Sequence, residues 1–176
     1  MKKILTTCLV VIGLSSTLIA EGLSLTSKDL KGQLSINEVF NGFGCSGKNI
    51  SPELSWSDAP KGTKSFALTV YDPDAPTGSG WWHWVVFNID AKTKGFSKGV
   101  DLSKTSAIES KTDFGKAGFG GACPPKGDKA HQYIFTIHAL DIEKIELDAN
   151  ANAALVGFYI NAHTLSKASL ISYYGR

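Results

Sequence analysis

The chain has 176 residues, with 18 Lys plus Arg against 16 Asp plus Glu, 43% apolar and 19% charged residues, 18 Gly and 6 Pro. That length and balance support one compact domain with a real core, and exclude a disordered, collagen-like or coiled-coil chain.

Residues 1–20 read as a secretory signal peptide: a basic head at Lys2 and Lys3, an apolar run from Cys8 to Leu14, and a small residue, Ala20, at the end. Residues 21–176 are then a single domain, exported to a periplasm or secreted. The leader takes two lysines and no acid with it, so 16 basic residues face 16 acidic ones and the mature chain is formally neutral. Without clustered positive charge it has no electrostatic footprint for nucleic acid or an anionic membrane surface. No other apolar stretch approaches the roughly 20 residues of a membrane helix, so a soluble mature chain is expected. Cys8 has too little apolar sequence before it to make a good lipidation site. Cys45 and Cys123 remain, and an oxidising compartment favours a disulfide between them; the alternative is two small buried hydrophobes.

In chain order, the first unusual segment is Asn41 to Gly47. Its glycines match G-x-G-x-x-G at Gly42, Gly44 and Gly47, but no helix pattern follows and Pro52 interrupts, so a turn-rich crossing with close backbone contacts is expected instead of a dinucleotide site. Asn49-Ile50-Ser51 is a glycosylation sequon with an unfavourable proline after it. Ser65 to Tyr71, His83 to Ile89 and Tyr133 to Leu140 are strands, rich in Val, Ile, Phe, Trp and Thr between Pro, Gly and Asp clusters. From Asn150 to about Ser166, Leu155, Phe158, Ala162 and Leu165 recur at helical spacing, with Asp148, Asn150 or Asn152 as the cap. Ala168 to Tyr174 reads as a closing strand. The fold class is mainly β, antiparallel, with peripheral helices.

Two further loops carry chemistry. Tyr71 to His83 brings Asp72 and His83 together with Trp81, Trp82 and Trp84 at a sheet edge; pocket and structural core are both consistent with that composition. Gly118 to Tyr133 has consecutive glycines that could turn N–H groups toward an anion, stiffened by Pro124 and Pro125. His131 and Tyr133 are two apart, so an extended backbone points both to one face.

Asp72 to Pro76, Trp81 to Asn88, Pro124 to Gly127, and His131 with Tyr133 together resemble the two signature regions of the phosphatidylethanolamine-binding proteins, most of all their bacterial Raf kinase inhibitor-like branch and its exported subgroup. The likeness runs from about Leu23 to Tyr174. It implies antiparallel sheets with flanking helices and a preformed pocket for phosphate, phosphoethanolamine, acetate or similar anions. Carried over by residue, it implies ligand binding by Asp72, Trp81, His83, Gly121, Ala122, Pro124, His131 and Tyr133, with Pro73 also at the rim. Gln132 stands where the family usually has Arg, and alternation turns it away from the ligand face.

Two imidazoles, a phenol O–H and loop N–H groups suit a phosphate monoester, while Asp72 must orient a histidine or accept from an ammonium head group. A zwitterionic ligand fits both halves. An extracytoplasmic protein partner is the alternative. A less favoured rival is a phosphoester hydrolase using a two-histidine, one-carboxylate metal triad or a His/Asp base, for which no H-E-x-x-H or G-x-S-x-G signature exists. No enzyme activity, cofactor or metal is expected. His138, odd-numbered steps from His131, faces the other way, and both it and His163 read as structural; Lys126 and Lys129 read as solvated loop lysines.

Overall fold

The computed structural model describes residues 22–176, so the leader expected over 1–20 lies outside the described residues. Ten strands and one helix are present among them. They are β1 (Ser24–Thr26), β2 (Asn41–Gly42), β3 (Cys45–Ser46), β4 (Leu54–Ser57), β5 (Ser65–Asp72), β6 (Trp81–Asp90), β7 (Gly95–Phe96), β8 (Ile108–Glu109), β9 (His131–Leu140), α1 (Ala153–His163) and β10 (Thr164–Tyr174). Five strands form the main antiparallel sheet in the order β10-β9-β5-β6-β8, and β1-β4-β7 form a second, smaller one.

The central strands β5, β6 and β9 are buried on both faces, which is why they read as nearly continuous apolar runs. Phe66, Leu68, Val70, Trp84, Val86, Phe135 and Ile137 pack with Leu25, Leu54 and Trp56 of the smaller sheet. Ala67, Val85, Phe87 and Leu140 turn the other way, toward Val156 and Ile160 of α1. Away from the two irregular positions of the β5–β6 pairing, period-two alternation assigns the strand residues to one of two cores.

The helix is where the expectation needs correcting. Asn152 is its cap, accepting from the Leu155 N–H at 2.8 Å. The buried stripe, however, is Ala153, Val156, Gly157 and Ile160. Leu155 and Phe158, expected to face the core, are 41% and 67% exposed, and Leu165 belongs to β10. Apolar residues line nearly the whole circumference of this helix, so spacing alone selects no face; contact with the sheet does. The closing strand also begins earlier than expected, at Thr164, directly after the helix.

Asn41 to Gly47 forms the expected tight crossing. β2 and β3 pair around Phe43 and Gly44, both at positive φ, and a side chain on Gly47 would collide with the Val39 backbone. Cys45 and Cys123 are joined in a disulfide, with Cα atoms 6.0 Å apart and a sequence separation of 78.

Candidate functional site

At one end of the main sheet a cavity of about 170 Å³ opens among Asp72, Trp81, His83, Pro124, His131 and Tyr133. Six of the eight residues expected at a ligand site therefore line one hollow. Each arrives by a local cause. His131 and Tyr133 lie on the same face of β9 by alternation, and Asp72 ends β5 on that face. His83 needs a distortion: β6 pairs Trp84 with Val70 but Trp82 with Tyr71, so the extra residue between them is bulged. That bulge aims His83 into the cavity while Trp84 stays in the core behind it, a combination that plain alternation forbids.

Asp72 is fully engaged. One carboxylate oxygen accepts the N–H groups of Asp74 and Ala75 at 2.8 and 3.1 Å, an Asx turn that shapes the loop; the other accepts from His131 Nδ1 at 2.8 Å. The carboxylate therefore orients this imidazole, whose Nε2 lies 3.6 Å from Asp128. His83 Nδ1 donates to the Gly120 carbonyl at 2.7 Å, which leaves Nε2 for the cavity. Burial holds the His83 pKa below the ordinary histidine value, against the opposing pull of the Gly120 carbonyl and Asp72. His83 is thus a neutral acceptor at neutral pH.

Tyr133 is 1% exposed, and its hydroxyl has no hydrogen-bond partner. Burial first, then the Asp72 carboxylate, raises its pKa, so the phenol keeps its proton as a donor. Its ring stands edge-on to His83, with centroids 5.0 Å apart.

The glycine loop departs from expectation. The N–H of Gly120 donates to the His83 carbonyl, that of Gly121 to Asn49 Oδ1 and that of Ala122 to the Glu38 carbonyl. Neither Gly121 nor Ala122 lines the cavity, and their donors are spent in folding the loop; buried backbone groups demand partners, and neighbouring segments supply them. Asn49, read as a sequon, is committed at both ends of its amide, to Gly121 and to the Phe119 carbonyl. Pro73 is absent from the wall, where Pro76 and Pro125 stand instead, and neither Lys126 nor Lys129 lines it. Lys129 pairs with Asp74 at 2.9 Å, and Asp74 also accepts the Gln132 N–H at 3.0 Å.

The wall that the sequence did not reveal is aromatic. Phe43, 67% exposed at the β2–β3 turn, stacks on Phe114 with centroids 5.8 Å apart, and Phe114 meets Trp81 and His83 edge-on. Only the glycines around Phe114 hinted at a loop there. Cys123 also lines the cavity, so the disulfide ties the Phe43 turn to the proline wall. Arg176 reinforces that tie through the carbonyls of Pro124 and Gly44, at 2.7 and 2.8 Å. His138 and His163 lie elsewhere, bonded to Thr164 and Asp141. Among the described residues no group of three or more His, Cys, Asp or Glu is arranged to hold a metal ion, and no helix is long and apolar enough to cross a membrane.

A mainly antiparallel β architecture with one late helix matches the fold of the phosphatidylethanolamine-binding proteins. The model of that family, described as "Phosphatidylethanolamine-binding protein", matches residues 26–175, and the chain belongs to it. Among its relatives, the UPF0098 protein YbhB of Escherichia coli (strain K12) is 53% identical over 154 residues, covering 84% of this chain and 97% of YbhB. The UPF0098 protein YbcL of the same strain is 52% identical over 163 residues, 88% of each chain. The crystal structure of E. coli YbcL, described as a new member of the mammalian PEBP family, superposes with a TM-score of 0.84 at 49% identity, covering 89% of this chain and 99% of YbcL. A putative homologue from Chlamydia trachomatis, CT736, gives 0.75 at 27% identity, covering 89% of this chain and 99% of its own.

Proposed function

We propose that this chain is an exported small-ligand-binding protein whose preformed cavity takes a phosphate-type anion, whether phosphate, phosphoethanolamine or a phospholipid head group. The observation that carries the reading is the Tyr133 hydroxyl, buried without a partner on the wall of a cavity it shares with His83 and the Asp72–His131 pair. A buried donor left unpaired costs about 1–3 kcal/mol, and an anion oxygen in the cavity removes that cost. Neutral His83 accepts a P–OH proton or is protonated as the anion enters, so affinity rises as pH falls. Export is supported by the basic head and apolar run of residues 1–20 and by a disulfide suited to an oxidising compartment.

A second reading, a protein partner engaging the same rim, is favoured by Phe43, which presents an exposed ring beside the cavity mouth.

Titration of phosphate and phosphoethanolamine against the histidine NMR signals tests the first reading. His83 and His131 signals move together and saturate, and Tyr133→Phe weakens binding by roughly tenfold or more, the loss of a bond to a charged acceptor. Unmoved His83 and His131 signals would reject it.

A further inference from the structure

A second hollow, of about 160 Å³, lies on the opposite face of the main sheet, beneath α1. Its floor is made by β5, β9 and β10, where Thr69 pairs with Thr136 and His138 with Lys167 across neighbouring strands. Trp82, Ile134 and Ile160 give it apolar walls. Nothing in the chemistry of the Tyr133 cavity uses any of these groups.

A sheet face covered by a helix ordinarily carries apolar side chains, yet here His138 and Thr69 are buried residues whose polar atoms reach the hollow, with Lys167 and Asn161 exposed beside the helix. His138 is 6% exposed, and its Nδ1 donates to Thr164 Oγ1 at 3.2 Å, because that hydroxyl gives its own proton to the Ile160 carbonyl. The ring's Nε2 is left as an unpaired acceptor on the cavity wall. Burial first, and the Lys167 charge second, lower the His138 pKa to about 4, so the ring is neutral at physiological pH. Thr69, equally buried, has a hydroxyl that makes no hydrogen bond within the protein. Lys167 forms no ion pair among the described residues, and no acidic side chain lines the hollow. The Asn161 amide completes the lining.

We propose that this hollow is a second binding site, for a small 2-hydroxycarboxylate. The donors decide the class. One cation, Lys167, shares the lining with the Thr69 hydroxyl and the Asn161 amide and balances a single carboxylate, whereas a phosphate dianion would remain under-neutralised. The His138 Nε2 acceptor on the wall suits a ligand that carries a donor, which the 2-hydroxyl supplies at the short reach such a molecule offers. The apolar walls accept its hydrocarbon part. The volume exceeds by about tenfold the roughly 15 Å³ that admits one water, so a molecule of this size enters.

The test uses the full mature chain and sodium lactate as the probe, with the His138 ring signals read by NMR at neutral pH and constant ionic strength. Lactate at millimolar concentration shifts the His138 signals saturably. Acetate, lacking the hydroxyl, binds roughly tenfold more weakly, the effect of one lost hydrogen bond. Lys167→Met and Thr69→Val each weaken lactate binding by about tenfold or more, and neither disturbs folding, since neither group has a protein partner. Tyr133→Phe leaves lactate binding unchanged. His138 signals unmoved by lactate, moved equally by sodium chloride, or moved with the same midpoint in Lys167→Met overturn the proposal.

Discussion

The two faces of the main sheet carry hollows of nearly equal size, about 170 and 160 Å³, built by different means. At the Tyr133 end the walls are loops, and they are held by cross-links: the Cys45–Cys123 disulfide, the Arg176 clamp and the Asx turn at Asp72. On the α1 side the walls are a helix and strands, held by apolar contacts of Val156 and Ile160 with Ala67, Val85 and Phe87. Loops position chemically varied groups but bury little, so covalent and polar ties must hold them; a helix on a sheet is held by area alone.

That contrast breaks most visibly at the disulfide. Replacing Cys45 and Cys123 by Ala lowers stability to urea by up to about 4.5 kcal/mol, the chain-entropy value for a loop of this length, and loosens the Phe43 turn. Amide hydrogen exchange then rises at residues 41–47 and 120–125 while α1 stays protected; uniform acceleration across both faces would erase the distinction. Next in size, Ile160→Ala opens a cavity under α1 and costs about 3 kcal/mol in the same denaturation assay, with the proposed anion binding at the Tyr133 end retained.

The two buried histidines sharpen the comparison by pH. Both His83 and His138 have pKa values depressed by burial, so the unfolded chain takes up protons that the native chain refuses. Their stabilising effect is complete above the ordinary histidine pKa of about 6.5 and is lost as pH falls below it. For His138 the loss runs from about 6.5 to about 4 and amounts to the order of 3 kcal/mol. His138→Gln flattens this part of the acid limb in pH-dependent urea titrations, while a phosphate anion at the other face, by aiding protonation of His83, shifts the remaining part. Smallest is the helix cap: Asn152→Ala removes the bond to the Leu155 N–H and costs about 1 kcal/mol by thermal melting.

How far the sequence could be read follows from the kind of signal each element carried. β5, β6 and β9 were legible because continuous β-branched and aromatic runs between turn residues have few other uses. His131 and Tyr133 were legible as a pair because two positions along a strand return to one face, and His138 was placed opposite them by the same parity. The face of α1 was not legible, since Leu155 and Phe158 are as apolar as Val156 and Ile160. His83 could not be aimed from parity, because the bulge beside it cancels the alternation. The fates of the Gly121 and Ala122 N–H groups were also hidden: their acceptors, Asn49 and Glu38, lie more than 70 residues earlier.

Local stereochemistry is written into neighbouring residues, and so the strand runs, the turn at Phe43 and Gly44 and the Asn152 cap followed from the amino acids themselves or were narrowed to a few choices. Which apolar side of α1 is covered, which loop donors are spent and which aromatic rings, Phe43 and Phe114, wall the hollow were settled only when distant segments packed. Burial and hydrogen-bond satisfaction depend on what lies across the gap, and that is a property of the folded chain.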